Sequence, residues 1–503
     1  MAFLRSASFS CLTLSLVGGV ILSGCMVGPD YERPDLITPD AWHSDLKAGL
    51  EASSEGVGLW WESFEDPILD ELILRTQRNN LDLRILMTRI EAARAEYGVA
   101  GSYLLPSVNG DGYAQWFRAE GGEVPIPNLT DEGTDKSFKL GASMTWELDL
   151  WGQIRRSMES KENTLLASIE NWRDLLVTVR AEVATSYVAY RTLRKIVEVA
   201  EVGLVAAEHN FDLASQSYDN GMATMTDVLT ARSLVASLES GLHGYVADAT
   251  QELNRISVLV GETPGSLKAV LGEAGRIPVP PASIGVAMPA NVVRQRPDVR
   301  AAERRLAAAV AGIGVAEADL LPSFTLLGSV GLQSPTAGSL FDWSNRYWSV
   351  GPSLNWQLLN WGRVSSQIDL AKAGASEGLI AYEKAILGAY RDIEDALVDF
   401  SSSELSRRDT EAARNDSLGA LVLAEQAYQQ GTQNLPVVIE TELQLLQQEF
   451  SLINAEAQVA LSAVTLYKAL GGDWTPVLPS ADGPVAVPTT DESLVSATAG
   501  GTS

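Results

Sequence analysis

The sequence predicts an α+β membrane protein in which one structural unit is written twice, each copy giving two β-strands and long α-helices. Three observations predict it: an export-type N-terminus, a repeat held at a nearly constant offset, and segments of strict two-residue alternation followed by long proline-free heptad runs. The chain has 503 residues, with Lys+Arg 37 against Asp+Glu 64 and a net charge of -27. So acidic a surface disfavours binding to nucleic acid phosphates.

The first 24 residues have the pattern of an export signal: Arg5, then the apolar run "CLTLSLVGGVIL" from Cys11 to Leu22, then small residues. That run is too short to span a membrane as a helix. "LSGC" at Leu22 to Cys25 resembles the lipobox of bacterial lipoproteins, in which cleavage leaves a cysteine thiol that carries diacylglycerol. Cys25 is therefore the expected lipidation site, and outer-membrane lipid the expected environment. Cys11 would leave with the signal, so the mature chain keeps no thiol for a disulfide or a metal. Met26 stands where inner-membrane retention usually requires Asp, which favours delivery to the outer membrane.

After Cys25 there is no apolar run of about 18 residues, so a membrane-spanning part must be a closed β-barrel. The repeat is read directly. "LLPS" at Leu104 to Ser107 recurs 216 residues on at Leu320 to Ser323. Trp151 and Gly152 recur 210 residues on at Trp361 and Gly362, as do Gly221 at Gly431 and Gly261 at Gly471. The boundaries expected are a signal at 1–24, an anchored extended segment at 25–66, a first repeat at 67–265, a linker at 266–290, a second repeat at 291–474 and a disordered tail at 475–503.

Strands are expected at about 107–117, 137–150, 323–334 and 347–359. In the second of these Phe138, Leu140, Ala142, Met144, Trp146 and Leu148 alternate with Ser137, Lys139, Gly141, Ser143, Thr145 and Glu147. In the fourth, Trp348, Val350, Pro352, Leu354, Trp356 and Leu358 alternate with Tyr347, Ser349, Gly351, Ser353, Asn355 and Gln357. Strands of about 10 residues, apolar on one side and polar on the other with aromatics near the ends, mark outer-membrane barrels. The other reading is a sheet packed on a soluble core, which has no use for a lipid anchor. Each "LLPS" proline stops the preceding helix. Four strands cannot close a barrel when about eight is the minimum, so closure needs further subunits: three copies give 12 strands and four give 16, with cyclic symmetry.

From Gln153 to Gly221 and from Arg363 to Gly431 the chain has no proline. Ile169, Trp172, Leu176, Val179, Val183, Ser186, Tyr190 and Leu193 step by three and four, and so do Leu379, Tyr382, Ile386, Ala389, Ile393, Ala396, Phe400 and Ser403. Such seams belong to helices packed side by side over long distances. Turns near Leu193 to Lys195 and Ser401 to Ser403 are expected to fold each run into a hairpin, with a descending arm of roughly 60 Å. Further breaks are expected at Gly221 and Gly431, where glycine suits a left-handed cap.

"CMVGPDYERP" at Cys25 to Pro34, "WWESFEDPILDEL" at Trp60 to Leu72, "RQRPDVRAAERRL" at Arg294 to Leu306 and "LYKALGGDW" at Leu466 to Trp474 resemble the TolC-like outer membrane factors of the NodT type. The resemblance implies a homotrimer with a 12-stranded β-barrel continued by a periplasmic α-helical barrel, in the outer membrane of a Gram-negative bacterium. It implies the exit duct of a tripartite efflux pump, passively conducting small molecules, with a periplasmic adaptor and an inner-membrane transporter of RND type as partners. The adaptor would meet the helix turns, represented here by Leu193, Arg194, Ser403 and Glu404. A symmetric tube is readily gated by a ring of acidic side chains. Asp409 and Asp416, seven apart on one helix face, are the gate candidates, their other reading being a solvated outer face. Counted from Gly431, Gly419 and Val422 stand where one relative has acids. The alternatives in function are the outlet of a type I protein secretion system and a lipid-anchored periplasmic coiled-coil spacer.

No constellation for catalysis or a cofactor stands out. His43, His209 and His243 are too far apart in sequence to read as a metal-ligand pattern. "GIG" at Gly312 to Gly314 lies within a helical run rather than after a strand, so it is no dinucleotide fingerprint. "NLT" at Asn128 to Thr130 reads as a polar extracellular loop. With no nucleotide motif, energy for transport must come from a partner.

Overall fold

The computed structural model describes residues 26–34, 39, 41–53, 58–117, 135–272 and 275–472. Cys25, the "NLT" segment and the tail from 475 lie outside them. In chain order the elements are β1 (Leu50–Ala52), α1 (Pro67–Asn79), α2 (Leu81–Ser102), β2 (Ser107–Phe117), β3 (Asp135–Leu148), α3 (Gln153–Asp219), α4 (Met225–Val260) and α5 (Lys268–Leu271). There follow β4 (Ile284–Val286), α6 (Pro289–Gln295), α7 (Pro297–Ala318), β5 (Ser323–Ser334), β6 (Arg346–Asn355), α8 (Arg363–Gln429) and α9 (Leu435–Ala469). The described chain divides into two compact units, Met1–His43 with Asn79–Leu175 and Met288–Asp395, and Ser44–Arg78 with Leu176–Ala287 and Ala396–Ser503.

The first unit holds a four-stranded antiparallel sheet in the order β2-β3-β5-β6. The strands occupy the alternating stretches, and the two hairpins pair through β3 and β5, the inner strands of the two copies. At each helix-to-strand junction an indole from the returning segment donates to the carbonyl two residues before the proline. Trp146 Nε1 donates to the Leu104 carbonyl at 2.9 Å, and Trp356 Nε1 to the Leu320 carbonyl at 3.1 Å. These pairs are counterparts in the two repeats. Gly152 and Gly362, with φ of 80° and 84°, make the left-handed step from strand to long helix. Asp149 accepts from the Ile154 and Arg155 amides at 3.0 and 3.1 Å and so caps α3.

The N-terminal segment is bolted to this junction. The Val27 amide donates to the Trp151 carbonyl at 3.0 Å. Arg156, only 2% exposed, donates to the Val27 and Gly28 carbonyls at 3.1 and 3.2 Å and to Asp30 at 2.6 Å. Gly28 lies so close to Gly314 that an added Cβ would stand 2.4 Å from the Gly314 Cα, so the glycine is required for the approach. Gly314 of "GIG" therefore serves packing, whereas a Cβ on Gly312 would meet nothing within 4 Å.

The second unit contains the parallel pair β1 and β4, so the stretch expected to be a linker carries a strand. Its aromatic core stacks Trp60 on Tyr467 with centroids 5.4 Å apart, with Trp61 and Phe64 edge-on to Trp60. Arg180 lies over the Trp61 ring at 4.5 Å and donates to Gln77 at 2.7 Å.

One expectation is corrected here. The turns placed at Leu193 to Lys195 and Ser401 to Ser403 do not exist: α3 and α8 each run unbroken for 67 residues through those positions. Nothing there breaks a helix. Thr192 and Ser403 hydroxyls bond back to the Val188 and Asp399 carbonyls at 2.7 Å, so they are satisfied inside the helix. Lys195 pairs with Glu198, and Glu404 with Arg407 and Arg408, at helical spacings of three and four. The hydrogen bond from Arg407 is the main reason the Glu404 carboxyl lies below its ordinary range. The chain reverses instead at Gly221 and Gly431, with φ of 73° and 72°. Thr224 and Asp227 form a capping box at the start of α4, and Pro436 sits in the first turn of α9. Ala214, Ala231, Leu435 and Ile439 form a small core beside these reversals.

Candidate functional site

The sheet has two chemically opposite faces. Cross-strand partners share a face, so the registers assign every side chain. One face carries Val108, Leu140, Met144, Leu326, Val330, Trp348, Val350 and Leu354. This face is left bare: Val108 is 67% and Trp348 73% exposed, an apolar surface that a water-soluble protein would cover. Aromatics bracket it. Phe138 and Trp146 in one repeat, and Trp348 and Trp356 in the other, are eight residues apart, which at about 3.3 Å per residue is roughly 26 Å, the height of an outer-membrane barrel's apolar band.

The opposite face is polar. Lys139 Nζ lies 3.0 Å from Asp111 Oδ2 and over the Tyr113 and Tyr347 rings, 6.0 and 5.3 Å from their centroids. Gln333 donates to Ser137 at 3.2 Å and to the Tyr113 hydroxyl at 3.4 Å, and the Ser329 and Ser349 hydroxyls bond at 2.8 Å. A sheet of this kind presents water to one side and hydrocarbon to the other. The Lys139 cluster carries no motif. Its one signal in the sequence is a lone cation on the polar face of β3, and its partners are found only through the strand register.

In the second unit α3 meets α9 along a close line. A Cβ on Gly203 would stand 3.1 Å from both methyl carbons of Leu446, and Asn210 donates to Glu442. Burial pushes the Glu442 carboxyl above its ordinary range. Asp409 and Asp416 both lie on α8 and are both exposed. Leu193, Arg194 and Glu404 are half-buried within long helices and Ser403 is buried, so none of the four stands at a helix reversal. The exposed reversals are 220–224 and 430–434, where Met222 is 77% exposed. Among the described residues no group of three or more His, Cys, Asp or Glu could hold a metal ion, and no helix is long and apolar enough to cross a membrane.

The family model for outer membrane efflux proteins matches residues 72–262 and 289–472, that is, both repeats. The chain belongs to this family. The toluene efflux pump outer membrane protein TtgF of Pseudomonas putida is 30% identical over 472 residues, covering 92% of this chain and 96% of that protein. The outer membrane protein OprJ of Pseudomonas aeruginosa is 30% identical over 468 residues, covering 92% and 95%. Among solved structures, the outer-membrane channel OprN superposes with a TM-score of 0.81 at 31% identity, covering 90% of this chain and all of that one. The efflux protein is thus an outer-membrane exit duct rather than a spacer.

Proposed function

We propose that three copies of the chain close one barrel, four strands from each making twelve, with the outer edge of β6 in one protomer pairing with the outer edge of β2 in the next. The observation that carries this reading is the four-stranded sheet itself: its apolar face is exposed and both edge strands have unpaired backbone groups, which cannot stand in hydrocarbon. The polar face then lines the lumen, and the long helices line the periplasmic part of the passage. A periplasmic adaptor and an inner-membrane transporter of RND type supply the energy. The adaptor meets the exposed reversals at 220–224 and 430–434, where Met222 and Met225 offer an adaptable apolar surface. Asp409 and Asp416 are the candidate gate. Relatives named for toluene and antibiotics support small, largely apolar molecules as cargo. In planar bilayers the purified protein should give discrete conductance steps. Trimers that never conduct, even with Asp409 and Asp416 replaced by alanine, would overturn the duct.

Lipid is attached at Cys25 in this reading. Met26, the next residue, packs against Gly152 at the strand-to-helix junction, where an added Cβ would stand 2.6 Å from the Met26 Cγ. Each buried methylene contributes only about 0.8 kcal/mol, so the anchor acts mainly in sorting and assembly. Mass spectrometry should find a diacylated Cys25 at the mature N-terminus. An unmodified terminus at another residue sinks the lipid assignment and leaves the channel untouched.

A further inference from the structure

The row Asp111, Gly141, Gly331 and Tyr347 crosses all four strands on the polar face. Two neighbouring glycines inside a sheet weaken it unless another group needs the space. Here the group is the tyrosine in the same row. A Cβ on Gly141 would stand 2.5 Å from the Tyr347 hydroxyl oxygen. One on Gly331 would stand 2.8 Å from it and closer still to backbone, 2.6 Å from the Leu140 carbonyl oxygen and 2.7 Å from the Gly141 Cα, so Gly141 is the position that the tyrosine crowds most. The side chain therefore lies along the row, over both glycines, and does not rise from the sheet. Its hydroxyl is buried. Lys139, held 3.0 Å from Asp111, closes the far end with its ammonium 5.3 Å from the ring centre. In the adjacent row Asn109, Ser143, Ser329 and Ser349 are all small and polar, so the stowed ring has no bulky neighbour on that side.

This inference rests on the reading in which the polar face lines the lumen. We propose that the Gly141–Gly331 trough stows Tyr347 flat against the barrel wall, and that this sets the free width of the duct at that level. Symmetry repeats the arrangement three times. Three rings lifted off the wall would converge on the axis and narrow the path for aromatic-sized cargo. Gly141 and Gly331 are then width-determining positions, and their lack of a side chain is the functional property.

The experiment is single-channel conductance of the wild type, Gly141→Ala, Tyr347→Ala and the double variant. Gly141→Ala is expected to lose conductance by up to about twofold, as a narrowed pore should. Tyr347→Ala alone should conduct like the wild type, because the ring already lies out of the path, and adding it to Gly141→Ala should restore the wild-type value. A rise in Tyr347→Ala alone would show a ring standing in the lumen and overturn the proposal. So would a Gly141→Ala loss that persists in the double variant, since the cause would then be the backbone: the added Cβ also comes within 2.8 Å of the Val330 carbonyl. A chain that stays silent even with Asp409 and Asp416 replaced by alanine would instead overturn the duct reading itself, and a wild type silenced only by that gate is compared in this open background. Should Gly141→Ala fail to assemble, nitration of the wild-type protein by tetranitromethane, read by peptide mass, decides the matter. Tyr347 should react more slowly than Tyr113, and equal reactivity overturns stowage.

Discussion

Replacing Asp66 with alanine is expected to cost about 2–4 kcal/mol, the sum of a lost helix cap and a lost buried hydrogen bond to a charged group. Asp66 does two jobs with its two oxygens. Oδ1 accepts from the Ile68 and Leu69 amides at 3.0 and 3.2 Å, which caps α1. Oδ2 accepts from the Tyr187 hydroxyl at 2.9 Å, and that hydroxyl in turn accepts from Arg191 Nε at 3.0 Å. Tyr187 is fully buried and Arg191 is 1% exposed. Burial pushes the Tyr187 phenol well above its ordinary range, which keeps it protonated and able to donate. Truncation at Asp66 therefore removes a helix cap, strands a buried hydroxyl and withdraws the carboxylate from a chain that ends on a buried guanidinium. Asp66→Asn should fall between wild type and Asp66→Ala, because its amide oxygen still caps α1 while the charge is lost. Far-ultraviolet circular dichroism melting in detergent checks the order. A loss below about 1 kcal/mol for Asp66→Ala, the size of a cap alone, would mean that the Tyr187–Arg191 chain is satisfied without it.

The strands and long helices were legible because each carries a period enforced along its whole length. A strand with hydrocarbon on one side and water on the other must alternate, as Phe138 to Leu148 and Trp348 to Leu354 do. A helix packed along a seam must repeat by three and four and exclude proline, as Ile169 to Leu193 does. Contacts across the chain were not legible. Arg156 meets Asp30 from 126 residues away, and Tyr347 reaches over Gly141 only once the registers of three strands are known. The tips were half legible: Gly221 and Gly431 marked real reversals, but the seam carries no information about where a helix ends. The serines at 401–403 are no break, although serine competes with helix backbone in many contexts. Inside α8 the Ser403 hydroxyl instead bonds back to the Asp399 carbonyl.

The unbroken course of α3 through residues 193–195 makes proline there costly. Arg194→Pro is expected to destabilise the protein by about 3 kcal/mol or more, the cost of proline in a helix interior. The substitution removes the amide that bonds to the Tyr190 carbonyl and drives the ring into it. Tyr190 cannot yield easily, because it is buried and its hydroxyl donates to the Gly272 carbonyl at 2.7 Å. The matched control is Thr226→Pro. It lies in the first turn of α4, at the position of Pro436 in the other repeat, where a helix amide has no internal partner to lose. Thr226→Pro should therefore melt close to the wild type, while Arg194→Pro melts far lower or fails to assemble. A turn at Leu193 to Lys195 would reverse the order, since proline is welcome in a turn. Wild-type melting of Arg194→Pro would remove the unbroken α3, and with it the placement of the adaptor contact at 220–224.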